Sequence, residues 1–365
     1  VGLYSGCKSL EAPLASAPAY QPESGVKGSV LMAFSNGQRP NECTLGLYDW
    51  DSDVLTPFPS RLPFAVPHSV VPNKLNKDEF FVFEVYGKIA KVNVANGQVT
   101  SLAHSDGDVF SHGHGLQPDG GEELFTTEMT ISSHSRYVAV RSVETLKVID
   151  RVPRELGGHH IIQIPKTSLL VCSSPPRHGS AGSTLYFYDY KKKKIVRSLD
   201  LEHDVVHLTA RANGEVVGVC DRIRWTKPFK PVRGESSVRN SENMYRSGEF
   251  LPAPAFVVAP DSKPRLLWDE KQKDEFKFGF GVSAMETRVL TTYMDSNSIV
   301  LWRDQKLEKI IPMERPQLAM FSKDGSEFMV VGAKGLTVFS SSTYAPVRKV
   351  TPSGGGQVLV IGAYA

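Results

Sequence analysis

An all-β fold, a seven-bladed β-propeller, is predicted by three observations on this 365-residue sequence. First, His68, His114, His160 and His207 recur with gaps of 46, 46 and 47 residues, and each opens a short apolar run. Second, the stretches between them divide into β-branched or aromatic runs bounded by Gly, Pro, Asn or Asp, the signature of short strands. Third, the two ends of the chain carry incomplete strand sets that complete each other. A period in the forties with four strands per repeat is that of a propeller blade.

With strands lettered a to d from the axis outward, blade 2 reads a 68–72, b 79–86, c 88–94 and d 98–103, with Asn96-Gly97 turning c into d. Blade 3 reads a 114–117, b 123–129, c 137–142 and d 146–151, with Pro118-Asp119-Gly120 after strand a. Blade 4 reads 160–164, 168–173, 184–189 and 194–200. Blade 5 begins at His207 with b at 215–221, and its c (255–259) and d (265–268) follow a long insertion. Blade 6 reads 281–285, 288–294, 298–302 and 307–311, and blade 7 reads 317–321, 327–332, 335–339 and 346–350.

The ends close the ring. Residues 29–34, 46–50 and 54–58 are three strands with no inner strand before them, and Gln357–Gly362 is an inner strand with no blade after it. Together they form blade 1, which leaves no open sheet edge. The chain then divides into an N-terminal tail, 1–27, and one propeller domain, 28–365, with an insertion at 222–252 in blade 5.

Composition agrees with one large domain: 41% of residues are apolar, enough for a substantial core. A formal net charge of +3 gives no reason to expect a nucleic-acid partner. No run of 18 apolar residues occurs, so no transmembrane segment is expected. The start of the chain, Leu3-Tyr4-Ser5-Gly6-Cys7, resembles the end of a bacterial lipoprotein leader, with Tyr4 where Leu is usual. The expectation is an exported protein, periplasmic or envelope-anchored on the outer face of a bacterial membrane, with Cys7 as the lipidation site; an ordinary N-terminal tail is the alternative. Cys43, Cys172 and Cys220 form no CxxC pair, and in an exported protein a bridge between Cys172 and Cys220 stays open.

The histidines carry the functional argument. Equivalent positions of successive blades lie on one ring around the axis, so the repeat brings His68, His114, His160 and His207 together. The ends of the b strands carry Glu84, Glu128, Cys172 and Cys220, which follow the ring histidines by 16, 14, 12 and 13 residues. Loops d–a and b–c open on the same face, so Glu84 and Glu128 are expected to join the histidines as metal ligands. His112 and His159 fall in the same segments and are expected to contact the ligand; His203, with His134 and His178 in b–c loops, adds to the same face. Imidazole suits copper, iron and zinc. A His/Glu pair could also serve acid–base chemistry. The alternative for each histidine is structural, an imidazole holding a turn inside its blade, as Gly113-His114 suggests. Cys172 and Cys220 read as inert core residues.

The 222–252 insertion carries Arg222, Arg224, Lys227, Lys230, Arg233, Arg239 and Arg246. As a b–c loop it belongs to the histidine face. It reads either as a basic lid, with Arg222 and Arg224 binding an anionic ligand or docking a partner, or as a solvated loop. Lys191–Lys194 reads as a solvated edge. No P-loop, GxSxG elbow, HExxH or haem-attachment CxxCH occurs.

These segments resemble a bacterial family of uncharacterised exported seven-bladed propellers. The residues that carry the resemblance are Pro67-His68, Phe110-Ser111-His112-Gly113-His114-Gly115, Thr126-Thr127-Glu128, Gly158-His159-His160, the His207 strand ending at Cys220, Gly281-Val282-Ser283 and Val300-Leu301-Trp302. Members often carry twin-arginine leaders and are encoded near imelysin-like, iron-regulated proteins. The chain departs where the family usually has Pro-His-Glu and this sequence has His159-His160-Ile161, which removes a carboxylate from the rim. The resemblance implies an envelope location and a link to metal uptake, and no established activity.

The expected function is a non-enzymatic propeller that binds a small ligand, a transition metal or metal complex, on its histidine face, with an envelope protein as a further partner. Two other readings stay open. One is a lactonase-like or quinoprotein-like propeller enzyme; the other is an interaction scaffold that uses the basic blade-5 loop.

Overall fold

The computed structural model describes residues 27–36, 39–62, 64, 67–103, 109–130, 133, 135–174, 182–225, 248–268, 271, 273–352 and 358–364. Cys7, His134, His178 and the middle of the blade-5 insertion, 226–247, lie outside them. Among the described residues there are strands and two single 3-10 turns, Arg154–Leu156 and Lys273–Glu275, and no helix long and apolar enough to cross a membrane.

The first sheet joins the two ends of the chain. Its chain-early strands are β1 (Ser29–Asn36), β2 (Arg39–Asp49) and β3 (Val54–Leu62). Next along the chain come β4 (Pro67–Pro72), β5 (Glu79–Gly87), β6 (Ile89–Asn93) and β7 (Val99–Ala103). They are followed by β8 (Val109–Leu116), β9 (Glu123–Thr130), β10 (Arg136–Ser142) and β11 (Val148–Arg151). Then come β12 (Ile161–Gln163), β13 (Leu169–Ser174), β14 (Thr184–Asp189) and β15 (Lys194–Asp200). The interrupted set is β16 (Asp204–Ala210), β17 (Val216–Asp221), the insertion strands β18 (Ile223–Trp225) and β19 (Gly248–Phe250), then β20 (Ala255–Val258) and β21 (Arg265–Leu267). The last sets are β22 (Gly279–Ala284), β23 (Arg288–Tyr293), β24 (Ser298–Arg303), β25 (Lys306–Pro312), and β26 (Ala319–Phe321), β27 (Glu327–Gly332), β28 (Gly335–Ser340), β29 (Pro346–Val350). The final strand, β30 (Val358–Tyr364), completes the first sheet in the order β3-β2-β1-β30.

The expected closure is therefore present, with Leu31 opposite Gly362 and Met32 opposite Ile361. The other sheets are antiparallel and run in chain order, and the insertion adds a two-stranded ladder, β18–β19, at its base. The first strands of successive sheets touch one another in a ring: β30, β4, β8, β12, β16, β22 and β26, with β30 also against β27. The b and c strands are the most buried, with patterns such as Leu169–Ser174 and Ser298–Arg303, because sheets cover both of their faces. The outer strands alternate or are exposed, as Val148–Arg151 is along its whole length. The hydrophobic core is accordingly a set of inter-sheet clusters. One packs Phe58, Phe64 and Phe80; another packs Val289, Tyr293 and Trp302 against Phe276. Cys172 and Cys220 sit in such clusters as free, buried thiols.

One departure from simple sheet-by-sheet order bears on the site. The first half of β8 pairs with β5 of the preceding set, Val85 opposite His112 and Gly87 opposite Ser111, which fuses the two sets into one sheet.

Candidate metal centre

Three of the inner strands, β4, β8 and β16, break register at or beside a histidine. In β4, Pro67 faces Glu84 and Ser69 faces Phe83, so His68 is the extra residue. In β8, residues 112–114 stand against Thr127 alone, between the pairs Ser111–Glu128 and Gly115–Thr126. His159 and His160 both bond to Ser173: the His159 amide donates to its carbonyl at 3.0 Å, and its amide donates to the His160 carbonyl at 3.2 Å. In β16 the register slips between Val205–Cys220 and His207–Val219. A bulge bends a strand and re-aims the side chain it carries. Here three such shifts, together with the His159–His160 step just ahead of β12, bring imidazoles to one point.

The result is a cluster of His68, His114, His159 and His207, each offering one ring nitrogen, all within 4.8 Å of one another. His114 is central. Its Nε2 lies 3.3 Å from His159 Nε2 and 3.2 Å from His207 Nε2, and its ring centroid is 4.6 Å from that of His68. Gly113 makes this approach feasible: its φ of +94° is in the left-handed region, and a Cβ there would lie 2.6 Å from Cδ2 of His68. The Ser69 hydroxyl, 2.7 Å from the Gly113 carbonyl, pins the two strands together.

Tautomers can be assigned at two rings. His207 Nδ1 donates to the Phe280 carbonyl, since a carbonyl can only accept. A neutral ring with its proton on Nδ1 presents Nε2 as a lone pair, and that lone pair faces His114. At His160 the Leu208 amide donates to Nδ1 at 3.1 Å, so the proton is on Nε2. His68 Nε2 is wholly buried and makes no hydrogen bond. A buried polar atom without a partner costs about 1–3 kcal/mol, which an ion at that position would relieve.

Burial pushes all of these imidazoles toward the neutral form, with mutual repulsion of their charged forms as a further cause at most of them. His68 is lowered to about 3 and His207 to about 4. His112, His114, His159 and His160 are also lowered well below the usual imidazole range. Four neutral nitrogen donors without a carboxylate form a set that copper, zinc, nickel or iron can accept. For a tetrahedral ion with bonds of about 2.0–2.1 Å, neighbouring donor atoms stand about 3.3–3.4 Å apart. The two contacts around His114, at 3.2 and 3.3 Å, are close to that edge.

The expected ligand set is only partly brought together. His68, His114 and His207 join, whereas His159 takes the place expected for His160. His159 and His160 are both tied to Ser173, and it is the His159 ring that reaches the centre; the His160 ring still packs 4.4 Å from His114 and serves the backbone of β16. His112 contacts the cluster from outside, its Nδ1 3.1 Å from His159 Nδ1.

Glu84 and Glu128 do not join the donor set, and their cross-strand partners are consistent with that. Residues opposite in an antiparallel pair point to the same side. Glu84 faces Pro67 and Glu128 faces Ser111, not a cluster histidine, and neither carboxylate is among the clustered donors. Glu84 accepts from the Lys88 amide at 3.3 Å, and it helps push the Cys43 thiol, already raised by burial, up to about 12. Glu128 binds the Arg141 guanidinium and accepts from the Thr126 hydroxyl at 3.0 Å, beside a cavity of about 100 Å³. Cys172 and Cys220 face Ile161 and Val205 in the same way and point into the core.

Arg222 and Arg224 belong to the insertion base rather than to the cluster. Arg224 pairs with Glu249 at 3.1 Å across β18–β19, both exposed, and the Arg222 charge acts on His203.

Sequence reasoning missed Phe280, Arg136, Asp204 and Asp221. Phe280 supplies the carbonyl to His207, and its ring lies 4.9 Å from that imidazole. Asp204 and Asp221 are direct cross-strand partners at the end of β16–β17. Burial and then the Asp204 charge raise the Asp221 carboxyl to about 8, against the pull of Arg136, whose charge also disfavours protonation of His112 and His159. The only sequence signal was position, Asp204 just ahead of His207 and Asp221 just after Cys220.

No described protein family matches the chain, and no curated protein matches it in sequence. Solved structures match its fold. A chain of Kuenenia stuttgartiensis hydrazine synthase is 10% identical with a TM-score of 0.61, covering 92% of this chain and 99% of that one. The Myceliophthora thermophila Cps50 (Swd1) β-propeller domain is 11% identical with a TM-score of 0.56, covering 85% and 96%. The Dos1 propeller is 13% identical with a TM-score of 0.54, covering 85% and 75%. At such identities the likeness concerns architecture, and together with the all-strand topology it establishes the fold: this chain is a β-propeller.

Proposed function

We propose that the chain is a seven-bladed propeller that holds one transition-metal ion at its axis on His68, His114, His159 and His207. Counting β4–β7 and β8–β11 as separate blades gives the seven. The observation that carries the metal reading is the convergence of four ring nitrogens within 4.8 Å, in a cluster where the His68 ring also has a buried Nε2 without a hydrogen bond. The spacing around His114 favours a tetrahedral ion such as zinc. Four imidazoles complete that coordination and leave no open position for a substrate, unlike a catalytic zinc site with three protein ligands. Binding, carriage or stabilisation by the ion is therefore favoured over hydrolysis. The family resemblance adds an envelope location and a role in metal uptake to this proposal.

Elemental analysis of tag-free protein tests it. Near-stoichiometric zinc, copper or iron in the wild type, lost in His114→Ala, is the expected result. A wild type that stays metal-free after reconstitution with each ion would overturn it.

A further inference from the structure

We infer that His112 is a positioning residue that holds His159 in its metal-binding tautomer; this rests on the four-imidazole reading above. His112 sits where β8 pairs with β9 on one side and with β5 of the preceding set on the other, Val85 being its partner across that second ladder. Val85 holds its backbone on the β5 side, its β9 side falls at the start of the bulge facing Thr127, and its side chain is buried. The His112 and His159 rings meet edge-on at 86°, centroids 4.8 Å apart, with Nδ1 facing Nδ1 at 3.1 Å.

Only one proton fits between those two nitrogens. When His159 Nδ1 holds it and donates to His112, the neutral His159 ring presents its Nε2 lone pair to the centre, 3.3 Å from His114 Nε2. In the reverse arrangement the His159 proton moves to Nε2, an N–H points into the donor set, and one of the four ligands is lost. The Phe280 carbonyl performs the same service for His207, but as an acceptor that cannot reverse. His112 therefore sets the fourth ligand. Outer partners of this kind typically contribute 10–100-fold to metal affinity.

The test is titration of the full chain with cobalt(II) and zinc(II), comparing wild type, His112→Phe and His112→Asn. His112→Phe fills the space without an acceptor and should bind about 10–100-fold more weakly, with an altered cobalt d–d spectrum. His112→Asn places an amide oxygen near the lost Nδ1 and should recover most of that loss. Phe binding as tightly as wild type, or Asn as weakly as Phe, overturns the role of His112 and leaves the metal site standing. A wild type that binds neither ion overturns the four-imidazole reading itself. Should His112→Phe fail to fold, imidazole ¹⁵N spectra of the zinc-loaded wild type decide: His159 protonated on Nδ1 supports the inference, and His159 ligated through Nδ1 overturns it.

Discussion

His68 lies against the backbone of Gly113, close enough that a methyl group on Gly113 would stand 2.6 Å from its Cδ2. Two successive inner strands thereby approach at a point where one has no side chain. Gly113→Ala adds both this clash and a left-handed φ that L residues avoid. We expect it to cost about 1–3 kcal/mol of stability and to displace His68 from the donor set. Denaturant unfolding reads the first effect and zinc titration the second. Unchanged zinc affinity in a folded Gly113→Ala protein would mean that His68 is not a ligand.

Adjacent residues should separate by function. His159→Ala removes a nitrogen from the cluster and should abolish stoichiometric metal binding. His160→Ala leaves the four donors in place and strands the Leu208 amide, which it now accepts from at 3.1 Å. That change should cost about 1–3 kcal/mol with the metal retained. Metal content beside thermal unfolding of both variants decides the assignment; loss of metal from His160→Ala alone would reverse it.

This exchange marks where sequence reading stops. Outside the first sheet, strand alternation and turn residues place b and c strands such as Glu327–Gly332 within a residue of their observed bounds, whereas the expected strand 46–50 begins seven residues earlier, at Arg39. The closing strand is legible as well. The bulges are not. A bulge inserts one residue and shifts the phase of everything before it, so an even period in the histidines gives the ring but not which of His159 and His160 faces inward. Glu84 and Glu128 show the same limit: distance along the chain put them near the histidines, but they pair with Pro67 and Ser111 and stay outside the donor set. Asp204 and Asp221 become visible as a pair only through their cross-strand register.

The metal-free protein should lose stability on acidification. The cluster histidines titrate near 6.5 when unfolded and far lower when folded, His68 at about 3 and His207 at about 4. The unfolded chain therefore takes up protons first as pH falls below about 6.5, and stability declines from there until the folded values are reached. Bound metal, which also requires neutral rings, should raise the stability above that window and sharpen the acid transition. Urea unfolding between pH 7 and 4, with and without zinc, checks this. A flat profile in the metal-free protein would show that the cluster is solvated rather than buried.

Asp221 works in the opposite sense. Its folded value is raised to about 8 by burial and by Asp204. Its contribution is fully present below the unfolded carboxyl value and fades as pH rises toward about 8, because the unfolded chain gives up a proton that the folded one keeps. Asp221→Asn keeps a neutral polar group at that position and should stabilise the protein at neutral pH, with no gain at low pH. Equal stability of the two proteins at pH 7.5 and at pH 4 would remove the case for an opposed Asp204–Asp221 pair.

The ring's closure rests on more than the β1–β30 ladder. Glu327, at the start of β27 in the last sheet, accepts from the Trp50 indole at 2.7 Å and pairs with Lys27 at 3.0 Å, both near the chain's beginning. Arg348 of β29 completes the group, 2.6 Å from Glu327 and 3.1 Å from Asp53. Glu327 is nearly buried, so removing the carboxylate leaves the Trp50 indole N–H inside the seam without its acceptor, while Arg348 keeps Asp53, Tyr48 and the Trp50 carbonyl. Glu327→Ala should cost about 1–3 kcal/mol. Glu327→Gln, which keeps an acceptor for Trp50, should cost less. If the seam is the weakest link of the ring, the loss will appear as earlier proteolysis and faster hydrogen exchange along β1 and β30, ahead of β13 or β24. Uniform loss of protection across all sheets would instead show that the ring opens only by global unfolding.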